Sequence, residues 1–473
     1  MLLSELSPGG AEVEISSLAY DSRAVEPGTL FFCVRGERSD GHDHAPEAVA
    51  AGAVALVVER PLGLGVPELM VASVRAAMAP LAVRFYRDPS ATLRVVGVTG
   101  TNGKTTSVFL LAALLEAAGE RCGLLGTVKS VIGGREHPVI HTTPEAIDLQ
   151  AAFRAMLDSG DRACAMEVSS HALALHRVDG THFAAALFTN LTQDHLDFHA
   201  DMEDYFAAKR RLFEADPGVR VVNVDDPYGQ RLAADFPAAV TFALAAPADY
   251  GARELEFGVA GARFVATTPE GELELRTRLP GRFNVANALG ALATARALGV
   301  PLKLIAATLP AVAPAPGRFQ ALDEGQPFTV LVDYAHTPDS LENVLRAARS
   351  LASGRVVSVF GCGGDRDRGK RPQMGRISAQ LADVTIVTSD NPRSEEPAAI
   401  VDEILTGIDD GDGAVDAIVD RSAAIAQAIA LARAGDVVVI AGKGHEQGQE
   451  FAGGRKVPFD DAQVARDALR TRA

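Results

Sequence analysis

Arg94-Val95-Val96-Gly97-Val98-Thr99-Gly100-Thr101-Asn102-Gly103-Lys104-Thr105-Thr106-Ser107-Val108-Phe109-Leu110-Leu111 changes local character twice. Arg94–Val98 is apolar and β-branched without alternation, the pattern of a strand buried on both faces. Residues from Thr105 to Ala118 read as a helix, with Gly119 as its C′ residue. Between strand and helix lies a glycine-rich turn. Glycines let backbone N–H groups approach phosphate oxygens, and a helix N-terminus adds positive potential. Gly100, Thr101, Asn102, Gly103, Lys104, Thr105 and Thr106 therefore form a candidate phosphate loop. Lys104 would reach the β- and γ-phosphates, and Thr105 would ligate Mg²⁺. The common pattern G-x-x-x-x-G-K-[ST] is missed at one position, where Val98 replaces the first glycine. A chance turn of this composition is the alternative; the strand before it and the helix after it favour phosphate.

Working outward, three α/β blocks are expected: 1–90, 91–316 and 317–473. The first has strand-like runs at Leu30–Val34, Val54–Val58 and Leu69–Val71, with helices at Ala45–Ala51 and Val74–Tyr86. Asp88-Pro89 marks a linker. The second continues from the phosphate loop through strands at Ala163–Val168, Ala185–Thr189 and Val221–Val224, a β-hairpin between Glu254 and Leu279, and the helix Val285–Leu298. The third has strands at Thr329–Val332, Val356–Phe360, Val384–Thr388 and Val437–Ile440. After its first strand, Thr337 is the expected N-cap and Pro338 the N1 residue of a helix. Apolar strands alternating with helices predict parallel sheets. Their carboxyl ends run into polar turns, which is where open α/β sheets bind ligands.

Composition limits the function classes. A 473-residue chain with 47% hydrophobic and 22% charged residues is globular and multidomain. A net charge of −16 disfavours nucleic acid as a partner. No membrane span is expected, and the first ten residues lack the basic start and apolar run of a secretory signal. Cys33, Cys122, Cys164 and Cys362 lie far apart, which fits reduced thiols in the cytoplasm.

Several strand ends carry chemistry. Glu167, in Met166-Glu167-Val168-Ser169-Ser170-His171, is a hard oxygen ligand suited to Mg²⁺. In the third block Gly364-Asp365-Arg366, Asp390-Asn391-Pro392-Arg393 and Gly442-Lys443-Gly444-His445-Glu446 end three strands. A guanidinium there can grip a carboxylate, while Asp390 and Glu446 can accept from ammonium groups. Taken singly, these are also ordinary turns.

The GTNGKTT form of the loop resembles the Mur ligases and their folylpolyglutamate synthetase relatives. The 1–90 block ahead of it matches the ligases acting on UDP-MurNAc-peptides, and the other motifs resemble the diamino-acid-adding MurE type. The resemblance implies three domains: an N-terminal UDP-precursor-binding one, a central P-loop ATP-binding one, and a Rossmann-like C-terminal one for the amino acid. It implies ATP-dependent amide formation through an acyl phosphate in peptidoglycan synthesis. The partners would be UDP-MurNAc-L-Ala-D-Glu and a free diamino acid, most often meso-diaminopimelate, joined by a monomer. By the same resemblance His195 ligates a second metal ion, and Lys209 carries a CO₂-derived carbamate beside it. Asn284 and Asn287 contact adenine, while Arg318, Asp333 and His336 close on the nucleotide. Ser22, Glu37, Arg38 and Ser39 meet the UDP end, and Thr142, Thr143, Ser169 and Arg177 the muramoyl-peptide. Arg366, Asp390, Asn391, Pro392, Arg393, Gly442 and Glu446 would hold the diamino acid, with Arg393 on its distal carboxylate.

L-Lysine or L-ornithine in place of diaminopimelate, another Mur ligase step, a non-catalytic ATP-binding regulator and a phosphotransferase are the alternatives. The Asp390–Arg393 motif argues against the other steps, and the joint presence of Glu167, His195 and Lys209 argues against a mere regulator.

Overall fold

The structure, a computed structural model, describes residues 1–36, 39–409 and 413–472. The chain forms two compact units. One comprises Met1–Thr99, Gly119–Ala186 and Ala208–Gly218; the other comprises Gly100–Ala118, Leu187–Ala207 and Val219–Ala473.

The first unit holds a parallel four-stranded sheet in the order β1 (Ser17–Ala19), β2 (Thr29–Phe32), β3 (Ala53–Val58) and β4 (Glu68–Met70). Successive strand residues face opposite sides. Leu30, Phe32, Ala55 and Val57 therefore pack with Val74, Met78 and Leu81 of helix Val74–Phe85. Phe31, Leu56 and Val58 pack with Ala45 and Ala48 of helix Ala45–Ala51. A second sheet contains β5 (Arg94–Thr99), β6 (Cys122–Leu125), β7 (Ser130–Ile132), β8 (Arg135–His137), β9 (Ala163–Glu167) and β10 (Phe183–Phe188), in the order β10-β5-β9-β6-β7-β8. β5, β6 and β9 are parallel, and β7 and β8 turn back antiparallel.

The second unit receives the end of β10 and contains helix Lys104–Ala117, which packs on helix Arg282–Ala297. β11 (Val219–Asn223) and β12 (Val240–Phe242) pair in parallel. The hairpin expected between Glu254 and Leu279 is instead a three-stranded antiparallel sheet of β13 (Gly251–Gly258), β14 (Gly261–Thr268) and β15 (Gly271–Thr277). Its first turn, at Val259-Ala260, lacks polar turn residues. The decisive residue there is Gly261, with φ 136° and no room for a Cβ beside the Thr277 carbonyl.

A six-stranded sheet follows, made of β16 (Gln320–Leu322), β17 (Thr329–Asp333), β18 (Val356–Phe360), β19 (Val384–Val387), β20 (Ala414–Ala417) and β21 (Val437–Ala441). Its order is β16-β17-β21-β18-β19-β20, and only β16 pairs antiparallel. Helix Pro338–Leu351 covers one face with Leu341, Val344, Leu345 and Ala348. Helix Arg421–Leu431 covers the other with Ala424, Ile425, Ala428 and Ile429. The expected Thr337 cap is present, its Oγ1 accepting from Ser340 N at 3.2 Å. A short ribbon, β22 (Gly448–Phe451) with β23 (Arg455–Pro458), was not foreseen. The chain is thus α/β, with parallel sheets whose carboxyl ends lead into the predicted motifs. Among the described residues no helix is long and apolar enough to cross a membrane, and all four cysteines are buried thiols.

Candidate active site

In the second unit the phosphate loop is fixed largely through its backbone. Gly103 has φ 86°, and a Cβ there would strike the Asn287 amide; a Cβ at Gly100 would strike Thr189 Oγ1. The helix beginning at Lys104 is capped by Gly103, which has no side chain to occupy the space in front of its N-terminus. Lys104 Nζ donates to the carbonyls of Gly100 at 3.0 Å and Thr101 at 2.8 Å, which holds its charge over the loop.

The turn after β10 is bound to this loop. Asn190 Oδ1 accepts from Asn102 N at 2.9 Å, and Thr189 Oγ1 donates to the Asn102 carbonyl at 2.6 Å. Thr101 Oγ1 lies 3.1 Å from both the Thr192 carbonyl and Tyr205 OH. His195 stands in the left-handed region with φ 56°, its N–H donating to Asp194 Oδ1 at 2.9 Å. Asp194 is buried, with Oδ2 3.4 Å from His195 Nε2 and 3.8 Å from His336 Nε2. Burial would raise its carboxyl pKa, but the His336 hydrogen bond and the fields of His195, His336 and Lys370 hold it well below the usual carboxylate range.

Of the residues expected from the third block at the nucleotide, Arg318 reaches the phosphate loop directly, while Asp333 and His336 bind its neighbours. Arg318 stacks 4.3 Å from the Tyr334 ring centre, and its Nη2 donates to Thr105 Oγ1 at 3.1 Å. Asp333 Oδ2 accepts from Phe319 N at 2.6 Å, and burial raises its pKa. His336 is oriented by a 2.7 Å contact between Nδ1 and the Tyr334 carbonyl. Asn284 and Asn287 are buried near the start of helix Arg282–Ala297, linked at 3.3 Å. Asp339, which sequence reading overlooked, accepts from Asn102 Nδ2 at 2.7 Å.

In the first unit, Glu167 ends β9 in register with Val98 of β5. Its oxygens accept from Thr127 N at 2.8 Å and Thr127 Oγ1 at 3.2 Å. Thr142 Oγ1 lies 3.1 Å from the same hydroxyl. Thr143 Oγ1 donates to the Glu167 carbonyl at 2.9 Å and accepts from Ser169 N at 3.1 Å. Arg177 donates to the Thr143 carbonyl at 3.0 Å and pairs with Glu145 at 2.7 Å. Glu145 also pairs with Arg75 at 3.2 Å. Thr142, Thr143, Glu167, Ser169 and Arg177 thus converge. Thr127 and Glu145, which join them, carried no motif signal. Lys209 is buried on helix Met202–Glu214. Ser22 Oγ donates to Glu47 at 3.2 Å, and Ser39 Oγ lies 2.8 Å from His44 Nε2. His44 and Glu47 approach to 3.8 Å, so the two serines share one cluster. Glu37 and Arg38 lie outside the described residues.

The loops after β19 and β21, again in the second unit, meet directly. Asn391 Nδ2 donates to Glu446 Oε2 at 2.8 Å. Arg393, with φ 51°, donates from Nη1 to the Gly364 carbonyl at 2.7 Å and from Nε to Glu450 Oε2 at 3.1 Å. β22 fixes the 390–393 loop further: Gln449 Nε2 donates to the Asp390 carbonyl at 2.8 Å, and Arg393 N donates to the Glu450 carbonyl at 3.0 Å. Pro392 lets the loop turn while its carbonyl packs closely against Gly364. Gly442 has φ 120°, and a Cβ there would strike Asp390. Arg366 is drawn instead to Asp197, at 3.0 Å.

Three family descriptions match the chain in succession: Mur ligase family, catalytic domain, over residues 14–86; Mur ligase middle domain, over 98–295; and Mur ligase, glutamate ligase domain, over 317–444. A UDP-N-acetylmuramoyl-L-alanyl-D-glutamate–2,6-diaminopimelate ligase of Geobacillus thermodenitrificans is 48% identical, over 98% of this chain and 96% of that one. A protein of the same name from Thermosynechococcus vestitus is 49% identical, over 97% and 94%. A solved structure with that name superposes with a TM-score of 0.70 at 35% identity, covering 100% of this chain and 99% of the other.

Proposed function

Because this chain belongs to the Mur ligase family, we propose that it is an ATP-dependent, ADP-forming ligase that adds meso-2,6-diaminopimelate to UDP-MurNAc-L-Ala-D-Glu in peptidoglycan synthesis. One observation carries the reading. A phosphate loop with Lys104 over it and an amine-recognition pair, Asn391 with Glu446, occur in one chain whose relatives, named for this reaction, match it nearly end to end.

The γ-phosphoryl group passes from ATP to the D-Glu side-chain carboxylate, breaking a P–O bond to ADP and forming an acyl phosphate. The diamino acid's amine then attacks the acyl carbon, phosphate leaves, and the nitrogen loses a proton. Such transfer depends on positioning and charge neutralisation. Loop N–H groups and Lys104 take the phosphates, Arg318 reaches toward Thr105, and Asp333, His336, Asn284 and Asn287 frame the nucleoside. Thr142, Thr143, Ser169 and Arg177 hold the muramoyl-peptide, and Ser22, Ser39, Glu37 and Arg38 hold the UDP end. Arg393, Asp390, Asn391, Gly442 and Glu446 take the diamino acid, with Pro392 shaping the loop and Arg366 at its edge. The modules for these three tasks are 1–90, 91–316 and 317–473, in a cytoplasmic monomer whose mass by light scattering should match 49.5 kDa.

Thr105, Glu167 and His195 fit Mg²⁺ ions that draw most of their shell from phosphate and water. Glu167, a hard oxygen ligand at the end of β9, is held in place by Thr127 N and Oγ1. When bound, such ions neutralise charge on the transferring group. Lys209 is buried where its amine can add to CO₂, forming an N–C bond and losing a proton to become an anion. Labelled bicarbonate should give a carbamate carbon resonance that Lys209→Ala abolishes; near-normal turnover in that variant would remove this part of the reading.

ADP release tests the whole. It should require the UDP-dipeptide and an amine, with meso-diaminopimelate far ahead of L-lysine and L-ornithine. ADP release that ignores the amine would overturn the ligase reading, and preference for lysine would overturn the choice of substrate.

A further inference from the structure

The side chain of Lys443 is fully buried. A lysine ammonium so placed is costly unless its protons are satisfied. Its Nζ donates to Asn391 Oδ1 at 2.8 Å and to Glu446 Oε2 at 3.0 Å. Asn391 Oδ1 also accepts from Glu450 N at 3.0 Å. Two donors on one oxygen fix which way the Asn391 amide points, so its Nδ2 must face Glu446. Glu446 Oε2 in turn receives both Asn391 and Lys443, leaving Oε1 as the carboxylate's remaining acceptor, on a side chain that is 31% exposed. The arrangement presses one carboxylate oxygen onto a buried cation, on a side chain that is partly exposed.

We propose that Lys443 is a positioning residue for amine recognition: it touches neither nucleotide nor muramoyl-peptide, but fixes Asn391 and Glu446 so that an incoming ammonium meets a pre-oriented, ionised carboxylate. This rests on the reading of Asn391 and Glu446 as the diamino-acid site. Motif matching gives Lys443 no role, because a lysine between two glycines reads as a solvated loop residue. The charged and titratable groups that act on Glu446 include Lys443 on its own loop, Tyr334 and His336 from the turn after β17, and Arg421 at the head of its helix. Lys443 acts most strongly of these in keeping the Glu446 carboxyl below its ordinary pKa against the effect of burial.

The test uses the full-length enzyme with Lys443→Met and Lys443→Arg. Lys443→Met should raise the KM for the diamino acid about 30- to 100-fold, as expected for losing a charged hydrogen-bonding partner. The KM values for ATP and UDP-dipeptide should stay within about twofold. In the variant, the amine KM should begin to worsen at a higher pH than in wild type as acid is added, because Glu446 without its cation protonates more readily. Lys443→Arg should recover part of the loss. A merely structural lysine would lower the melting temperature and depress turnover with all three substrates alike. An unchanged amine KM in a folded Lys443→Met enzyme overturns the inference and leaves the proposed reaction standing. If wild type shows no amine-dependent ADP release, the reaction itself has failed. Should Lys443→Met not fold, Lys443→Gln, which keeps a donor toward Asn391 Oδ1 and Glu446 Oε2 but removes the charge, carries the test. An amine KM equal to wild type in that variant would overturn the proposal.

Discussion

The phosphate loop and the loops that end β18, β19 and β21 are braced by different chemistry. Around Gly100–Thr106 the supports are mostly backbone groups, hydroxyls and amides: Asn190 to Asn102, Thr189 to Asn102, and Thr101 to Thr192 and Tyr205. Around Gly364, Arg393 and Glu446 they are ion pairs, namely Lys443 with Glu446, Arg393 with Glu450, Arg371 with Glu395 and Glu403, and Arg421 with Asp461. A pocket for a polyphosphate gains from neutral dipoles and one cation, since fixed anions would repel the ligand. A pocket for a zwitterion with two ammonium groups and two carboxylates needs both signs held apart, and each buried charge then needs its own partner. The first site, where Asp339 is a carboxylate bonded to the loop, should therefore depend less on carboxylate titration than the second.

The Arg421–Asp461 pair gives the largest expected effect. Both side chains are fully buried, joined by two 2.7 Å bonds, and Arg421 also donates to the Ala441 carbonyl at 3.0 Å and the Ser389 carbonyl at 3.4 Å. It thus ties the ends of β19 and β21 to helix Asp461–Arg472. Arg421→Met should cost about 3–5 kcal/mol, because Asp461 is left buried and unpaired. Urea midpoints would measure it, and the double variant Arg421→Met, Asp461→Leu should recover most of the loss. A single-variant loss below about 1 kcal/mol would mean that the loops after β19 and β21 do not rest on ionic bracing.

Lys104→Ala comes next, with kcat/KM falling about 10²- to 10³-fold, the scale of losing one preorganised charge-stabilising donor. Its bonds to the Gly100 and Thr101 carbonyls stay within the loop, so the melting temperature should fall less than in Arg421→Met. A stability loss as large as that of Arg421→Met would erase the contrast between the two sites.

How much of this could be read from sequence follows the same division. The phosphate loop is contiguous, and its strand, glycines and helix start are local signals; the helix begins at Lys104, one residue before the expected Thr105. Strand cores such as Val356–Phe360 and the Thr337 cap were legible because burial and capping act within a few residues. Thr127, Glu145, Asp339 and Lys443 were not, because each matters through a partner 40, 32, 237 or 52 residues away. β22, which is bonded to the 390–393 loop, reads Gly448-Gln449-Glu450-Phe451 and has no apolar run to announce it. Its pairing with Asp390 and Arg393 exists only in three dimensions.

Glu395 supplies the finest test of the contrast. Its Oε1 accepts from Asp365 N at 2.7 Å and Arg371 Nη2 at 2.8 Å, and its Oε2 accepts from Arg371 Nη1 at 2.9 Å. These bonds hold the 363–366 turn, since Arg371 also donates to the Gly363 carbonyl at 3.2 Å. The Arg371 hydrogen bonds, outweighing partial burial and helped by the Asp365 N–H, bring the Glu395 carboxyl down to about 2. A depressed carboxylate contributes stability that is fully present above its unfolded value near about 4.3 and is lost as pH falls through the folded value. Glu395→Gln should therefore cost about 1 kcal/mol at pH 7, discounted because the side chain is partly exposed and Arg371 keeps Glu403. That difference should shrink as the pH of unfolding experiments drops from about 5 toward 3, while the affinity for ATP is unaltered at every pH. If the gap between variant and wild type stayed constant with acid, the 363–366 turn would be held by shape alone, and ionic bracing would stop at Arg421 and Lys443.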